Sequence, residues 1–199
     1  MLGICLYILL YTTLSTFLYL EQARIVQDAF DAPGERTQLF AAIDLAVNAL
    51  TIVVQLFLTA RVVRWLSVGG TLALVPLGVA AGLVALGAFP GLVALVGVQV
   101  LRRAGNYAIS RPAREMLFTV VDREERYKAK SVIDTLVYRG GDAASAWLYI
   151  GLSTLGLGLS AIAFIGVPLA LLWAYNGVLL GRRQERLRER VNARRTEYG

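Results

Sequence analysis

Long apolar stretches, separated by short turns, dominate the pattern of hydrophobic and polar positions along the chain. Six of them reach the roughly 20 residues that a helix needs to cross the hydrocarbon core. Gly and Pro mark three of the turns, at Ala32-Pro33-Gly34, Phe89-Pro90-Gly91 and Gly156-Leu157-Gly158. The predicted spans are 2–26, 37–64, 68–89, 92–117, 131–155 and 159–180. The pattern therefore predicts an all-α polytopic membrane protein, with a six-helix transmembrane domain over residues 1–181 and a C-terminal tail over 182–199.

Composition agrees with this prediction. The 199 residues are 57% hydrophobic and only 17% charged, against about 25% charged in an ordinary soluble domain. The chain has no His, which excludes His-based acid–base catalysis and the usual His metal sites. Its one Cys, Cys5, excludes a disulfide framework, and it has neither a nucleophile-elbow nor a Walker motif. We expect no enzyme activity and no cofactor.

The 20 Lys and Arg residues are distributed unevenly between the two sides of the predicted membrane domain. With the N-terminus inside, the cytoplasmic side holds fifteen basic residues. Two, Arg61 and Arg64, are at the end of the second span, six are around the loop between the fourth and fifth spans, and seven are in the tail. The other side holds only Arg24 and Arg36. The positive-inside rule then places both termini in the cytoplasm, in a cell inner membrane. A basic tail next to a span favours anionic lipid as its partner and not nucleic acid.

Polar residues form stripes on four of the six spans, since they recur at helical spacing. The stripes contain Tyr7, Tyr11, Ser15 and Gln22 in the first span; Asp44, Asn48, Thr51 and Gln55 in the second; Arg102, Arg103, Asn106, Tyr107 and Arg111 in the fourth; and Asp134, Tyr138, Arg139 and Asp142 in the fifth. The third and sixth spans have essentially no polar stripe, and we expect them to face lipid. Four striped helices are typical of a bundle around a polar cavity.

Two arginines lie deep in the predicted spans. Arg102 and Arg139 are each about ten residues from the nearer end, or ~15 Å along a helix, which is close to the middle of a ~30 Å core. Ionisable groups at this depth either mark a substrate or ion pathway or pair with one another inside the bundle. Three carboxylates within spans, Asp44, Asp134 and Asp142, are available for such pairing. Spacing alone leaves both interpretations open.

Several segments resemble known transporters. Residues 58–69, LTARVVRWLSVG, look like a degenerate form of the loop motif of the major facilitator superfamily. SRPAREMLF at 110–118, KAKSVIDT at 128–135 and YRGGD at 138–142 resemble the C-terminal half of the ATP/ADP translocase-like nucleotide transporters. That resemblance covers nearly the whole chain. It implies a carrier that exchanges nucleotides or related phosphorylated metabolites by alternating access.

The resemblance also implies a missing partner and a set of substrate contacts. Members of that family have about twelve helices, so the six predicted here correspond to one half, which pairs with an N-terminal six-helix half or a second six-helix chain. Lys130 matches a basic position that the family uses near its cavity. We therefore expect an anionic small-molecule substrate bound by Arg102, Arg103 and Arg139. The remaining candidate contacts are Tyr11, Asp44, Asn48, Asn106, Lys130, Asp134, Tyr138 and Asp142. The alternative is a membrane scaffold or regulatory subunit that transports nothing and in which the stripes only hold the helices together.

Overall fold

The computed structural model describes residues 2–117 and 133–197, with side chains up to residue 189 except that of Asp134. This part of the chain forms six helices and contains no strand. Four of them are continuous: α1 is Leu2–Ala29, α2 is Pro33–Phe57, α3 is Thr59–Ala88 and α6 is Leu159–Glu197. Helix α4 is α-helical over Leu92–Gly105, π-helical over Asn106–Ser110 and α-helical again over Arg111–Leu117. Helix α5 begins with a π-helical segment, Ile133–Val137, and continues as an α-helix over Tyr138–Thr154.

Four of these helices, α1, α2, α3 and α6, are long and apolar enough to cross a membrane. The other two, α4 and α5, have longest α-helical stretches of 14 and 17 residues, because each contains a π-helical segment. The prediction of an all-helical chain with several membrane-compatible helices is therefore confirmed for the described residues. The arrangement of a major facilitator half stays a prediction.

The predicted turns are where the sequence placed them. Pro33 is in the first turn of α2, where its missing N–H costs no helical hydrogen bond. Gly156 adopts a φ of 78°, a left-handed conformation that glycine tolerates best. The predicted end of the second span at residue 64 is wrong. Helix α2 ends at Phe57, and residues from Thr59 onward belong to α3, which is itself interrupted by Ser67 with φ 58° and ψ 175°.

Helices α3 and α6 pack against each other through glycines and make the most extensive helix–helix contact among the described residues. A Cβ added at Gly177 would lie 3.1 Å from the backbone carbonyl carbon of Leu72, and one at Gly181 would overlap the backbone of Gly69. In the most apolar segments of the helices, 56% of the residues are buried in α3 and 44% in α6, but only 11% in α2. The expectation that the third and sixth spans face lipid therefore fits only part of each helix, since Leu77 of α3 and Leu171 of α6 are exposed while other residues of both helices are buried. Small residues allow close contact between helices even without polar groups.

The π-helical segment of α4 lies directly before Pro112. Pro112 has no N–H, so it supplies no helical donor to the carbonyls one turn earlier. Two side chains from neighbouring elements supply hydrogen bonds instead: Gln55 Nε2 donates to the Tyr107 carbonyl at 3.1 Å, and Thr59 Oγ1 donates to the Ala108 carbonyl at 2.8 Å. The stripe residue Gln55 thus supplies a hydrogen bond to a backbone carbonyl of α4.

Pro76 in α3 is compensated in the same way. Its missing N–H leaves the carbonyl of Leu72, four residues earlier, without its helical donor. The Tyr7 hydroxyl donates to that oxygen at 2.9 Å. The Tyr7 ring also packs edge-on against the fully buried Trp173 of α6, with ring centroids 5.4 Å apart. Tyr7 therefore ties α1 to both α3 and α6.

The basic C-terminal segment continues α6. The helix extends without interruption from Leu159 to Glu197, so residues 182–197 add about 24 Å of helix beyond the predicted span.

Candidate functional site

A cleft of about 710 Å³ lies between α1, α2, α4 and α5, the four helices that carry polar stripes. Its volume is within the usual range of small-molecule sites. The lining residues are Tyr11, Ser15, Thr16, Tyr19, Leu20, Gln22, Phe40, Asp44, Gln99, Arg102, Arg103, Tyr107, Asp142 and Ala146. The sequence-level prediction of a polar cavity on these helices agrees with this geometry.

Arg102 is the most buried charged residue of the cleft, with 2% of its surface exposed. One terminal nitrogen, Nη1, donates to Ser15 Oγ at 2.8 Å, and Nη2 donates to Gln99 Oε1 at 2.6 Å. The guanidinium carbon lies 5.5 Å from the centroid of the Tyr11 ring, in cation–π geometry. Its Nε has no hydrogen-bond partner. Among the described side chains, Arg102 forms no ion pair.

The polar contacts of Arg102 continue into α1 through two glutamines. Gln99 Nε2 donates to Gln22 Oε1 at 2.7 Å, while the Oε1 of Gln99 accepts from Arg102. Gln99 is 1% exposed and was missing from our sequence-level site. Its spacing of three residues before Arg102 places both on one helical face, which is the signal that identifies it.

The other charged residues of the cleft are held differently. Arg103 Nη1 lies 2.7 Å from Asp44 Oδ1, so this arginine already has a counter-ion, and both side chains are partly exposed. Asp142 Oδ1 accepts a hydrogen bond from Thr16 Oγ1 at 3.2 Å. The predicted residues Tyr11, Asp44, Arg102, Arg103 and Asp142 thus share one cleft. Only Arg102 is a buried cation without a carboxylate partner among the described side chains.

Four predicted contacts lie elsewhere. Asn48 is exposed on α2, and Asn106 is buried but does not line the cleft. Tyr138 accepts a hydrogen bond from Arg114 Nη1 at 2.8 Å. Arg139 is exposed and outside the cleft.

The remaining two predicted residues cannot be placed in the same way. Lys130 lies outside the described residues, as does the loop around it, and the side chain of Asp134 is not described either. Arg139 and Asp142 form no ion pair, and the pairing of Arg139 with Asp134 stays a prediction.

The chemistry available in the cleft is recognition by hydrogen bonds and charge. It presents a guanidinium, amide and hydroxyl groups, and the aromatic side chains of Tyr11, Tyr19, Phe40 and Tyr107. A guanidinium matches the oxygens of phosphates and carboxylates well. In the part of the chain with described side chains, no cluster of three or more Cys, Asp or Glu residues forms a metal site. Comparisons with protein-family models, curated proteins and solved structures find no match for this chain.

Proposed function

We propose that this protein is one half of a membrane transporter that moves an anionic metabolite, such as a nucleotide or another phosphorylated compound, by alternating access. The observation that carries the proposal is Arg102. It is a buried cation within the helical bundle, beside an open cleft, without a carboxylate partner among the described side chains.

The energetics of burial support an anionic ligand. A charge removed from water is costly unless it is paired, and ionisable residues inside membrane spans commonly face a pathway. Ser15 and Gln99 hold the guanidinium through neutral hydrogen bonds, which orient it without cancelling its charge. In this proposal an anion bound in the cleft is the counter-ion of Arg102.

Two further features support the assignment of substrate and partner. The cleft has room for a metabolite of nucleotide size, and its aromatic walls suit a planar ring. Tyr19 and Tyr107 are 58% and 40% exposed, so the cleft opens at the surface of the described bundle. A second six-helix unit, either the N-terminal half or another chain, closes it in this proposal. The resemblance of the 110–142 region to nucleotide transporters favours the same arrangement.

The proposal is tested with the full chain, together with its partner half where one is encoded beside it, in proteoliposomes. Binding and counterflow are measured with radiolabelled ATP, glucose 6-phosphate and citrate, which represent three classes of anion. We expect at least one to bind, and Arg102→Gln to weaken its binding by about tenfold or more, since one lost charge-assisted contact is worth roughly 1.5–3 kcal/mol.

The matched control is Arg64→Gln, which removes an exposed arginine outside the cleft. Expression and unfolding of each variant are measured in parallel, so that a folding defect is separated from a binding defect. Unchanged binding in Arg102→Gln eliminates the proposed site, and no binding of any of the three anions to the wild type contradicts the proposal.

The alternative is a scaffold or regulatory subunit, and one observation favours it. Several stripe residues are used between helices: Gln55 donates to a backbone carbonyl of α4, and Tyr7 donates to a backbone carbonyl of α3. Such bonds stabilise membrane bundles without any transport role. If the protein is such a subunit, we expect none of the three anions to show counterflow and the protein to co-purify with a second membrane protein.

A further inference from the structure

A second cavity, of about 430 Å³, lies between the first turns of α1 and the end of the apolar part of α6. We call it the α1–α6 groove, and it shares no lining residue with the cleft. On the α1 side it is lined by Leu2, Gly3 and Leu6. Leu2 and Leu6 are 88% and 40% exposed, so this wall is open to the surroundings of the bundle.

The α6 wall of the groove changes from apolar to charged along the helix. Asn176 is buried at one end, where its Nδ2 donates to the Gly3 carbonyl at 2.9 Å and joins the two walls. Leu179 and Leu180 follow. Arg183 lies at the other end, about 10 Å further along the helix than Asn176.

Arg183 brings a positive charge to this end of the groove. It is exposed and forms no ion pair among the described side chains, although Glu185 and Glu189 are on the same helix. It is one of four exposed arginines within residues 182–188, which directly follow the predicted sixth span. The groove thus combines leucine walls with a cation that has no described counter-ion.

This combination matches an anionic phospholipid. Leucine walls that open to the surroundings of a membrane-compatible helix suit an acyl chain, and a guanidinium suits the oxygens of a phosphate. Basic pockets between helices on the cytoplasmic side, where the charge distribution places this end of α6, are known binding sites for anionic headgroups. Free phosphate would contact Arg183 but leave the leucine walls without a partner.

We propose that the α1–α6 groove binds one anionic phospholipid, with an acyl chain between α1 and α6 and its phosphate on Arg183. The site is independent of the transporter function proposed above. It is also more specific than a general attraction of the basic tail to the membrane surface, because that attraction needs no groove and depends on all the arginines of the tail alike.

The site is tested by photo-crosslinking of the full chain in phosphatidylcholine nanodiscs. The probe is phosphatidylglycerol or phosphatidylcholine with the same diazirine-bearing acyl chain, and labelled residues are mapped by mass spectrometry. We expect phosphatidylglycerol to label residues 2–6 and 176–183 about fivefold more than phosphatidylcholine, the preference that one arginine provides near anionic lipid. Residues elsewhere on the bundle should be labelled equally by both probes.

Two arginine variants separate the groove from the tail. Arg183→Gln should abolish the preference for phosphatidylglycerol. Arg188→Gln removes an exposed arginine five residues further along the same helix and outside the groove, and it should leave most of the preference. Equal labelling by the two probes in the wild type, or equal losses in the two variants, overturns the site in favour of diffuse attraction.

A second pair of variants tests the acyl-chain wall. Leu6→Trp places a larger side chain in the groove and should lower labelling of residues 176–183 by both probes. Leu171→Trp, at an exposed position of α6 outside the groove, should leave that labelling unchanged. Excess inorganic phosphate should not displace the phosphatidylglycerol probe. Unchanged labelling in Leu6→Trp, or displacement by inorganic phosphate, contradicts a phospholipid site.

Discussion

Adjacent arginines in one helix have different environments in this protein. Arg102 and Arg103 are about 100° apart around the axis of α4, so one points into the bundle towards Ser15 and Gln99 while the other reaches Asp44 on α2. Counting residues along a span gives the depth of a side chain but not which neighbour it meets. For this reason the sequence grouped Arg139 with Arg102, whereas the structure leaves Arg139 exposed outside the cleft.

The compensation of Pro112 by Thr59 leads to a residue-scale prediction. Thr59→Val removes the donor to the Ala108 carbonyl and should lower the free energy of unfolding by about 1–3 kcal/mol, since a buried carbonyl is left unsatisfied. In a Pro112→Ala background the new N–H is available to that carbonyl, and the cost of Thr59→Val should fall by about 1 kcal/mol. The measurement is a double-mutant cycle of reversible unfolding in mixed detergent micelles.

The control for this cycle is Thr37→Val in both backgrounds. Thr37 also donates to a carbonyl, that of Pro33, but at an exposed position near the start of α2. It should show no coupling to Pro112→Ala. Equal costs of Thr59→Val in the two backgrounds would show that Thr59 does not compensate for the proline.

At the scale of whole helices, the two apolar spans α3 and α6 cross closely, while the polar-striped α2 is the least buried of the four membrane-compatible helices. Helices α3 and α6 approach closely at Gly69, Gly177 and Gly181, and the most apolar segment of α2 is only 11% buried. In lipid, apolarity alone does not decide which helix is central, because lipid tails are as apolar as leucine. Small residues that allow backbones to meet are the better indicator.

The glycine crossing gives the element-scale prediction. Gly181→Ala should destabilise the protein by about 1–3 kcal/mol, because the added Cβ overlaps the backbone of Gly69 and forces α3 and α6 apart. Gly151→Ala is the matched control, since a Cβ there has nothing within 4 Å. It should be neutral or slightly stabilising. Reversible unfolding in mixed micelles compares the two variants. Equal free energies of unfolding would show that α3 and α6 accommodate the added Cβ at this crossing.

At the scale of the molecule, the fifteen-to-two distribution of basic residues predicts the orientation in the membrane. In a Cys5→Ser background, Glu35→Cys should react with an impermeant maleimide added to intact cells, and Glu185→Cys should react only after permeabilisation. Glu35 lies in the first turn of α2 and Glu185 in the C-terminal part of α6, and both are exposed. The two positions therefore differ in the predicted side of the membrane and not in accessibility. Labelling of Glu185→Cys in intact cells would reverse the proposed orientation.

The sequence by itself determined the helical class, the membrane-compatible helices, the turns and the four striped helices, because these depend on local hydrophobicity, on helical period and on Gly and Pro. It also identified Tyr11, Asp44, Arg102, Arg103 and Asp142, which share the cleft. Only the tertiary structure decided that Asp44 pairs with Arg103, that Arg102 is without a counter-ion among the described side chains, and that Glu21 is buried against Tyr149. Those facts depend on how each helix is rotated and which helix it meets, and packing between distant segments sets both.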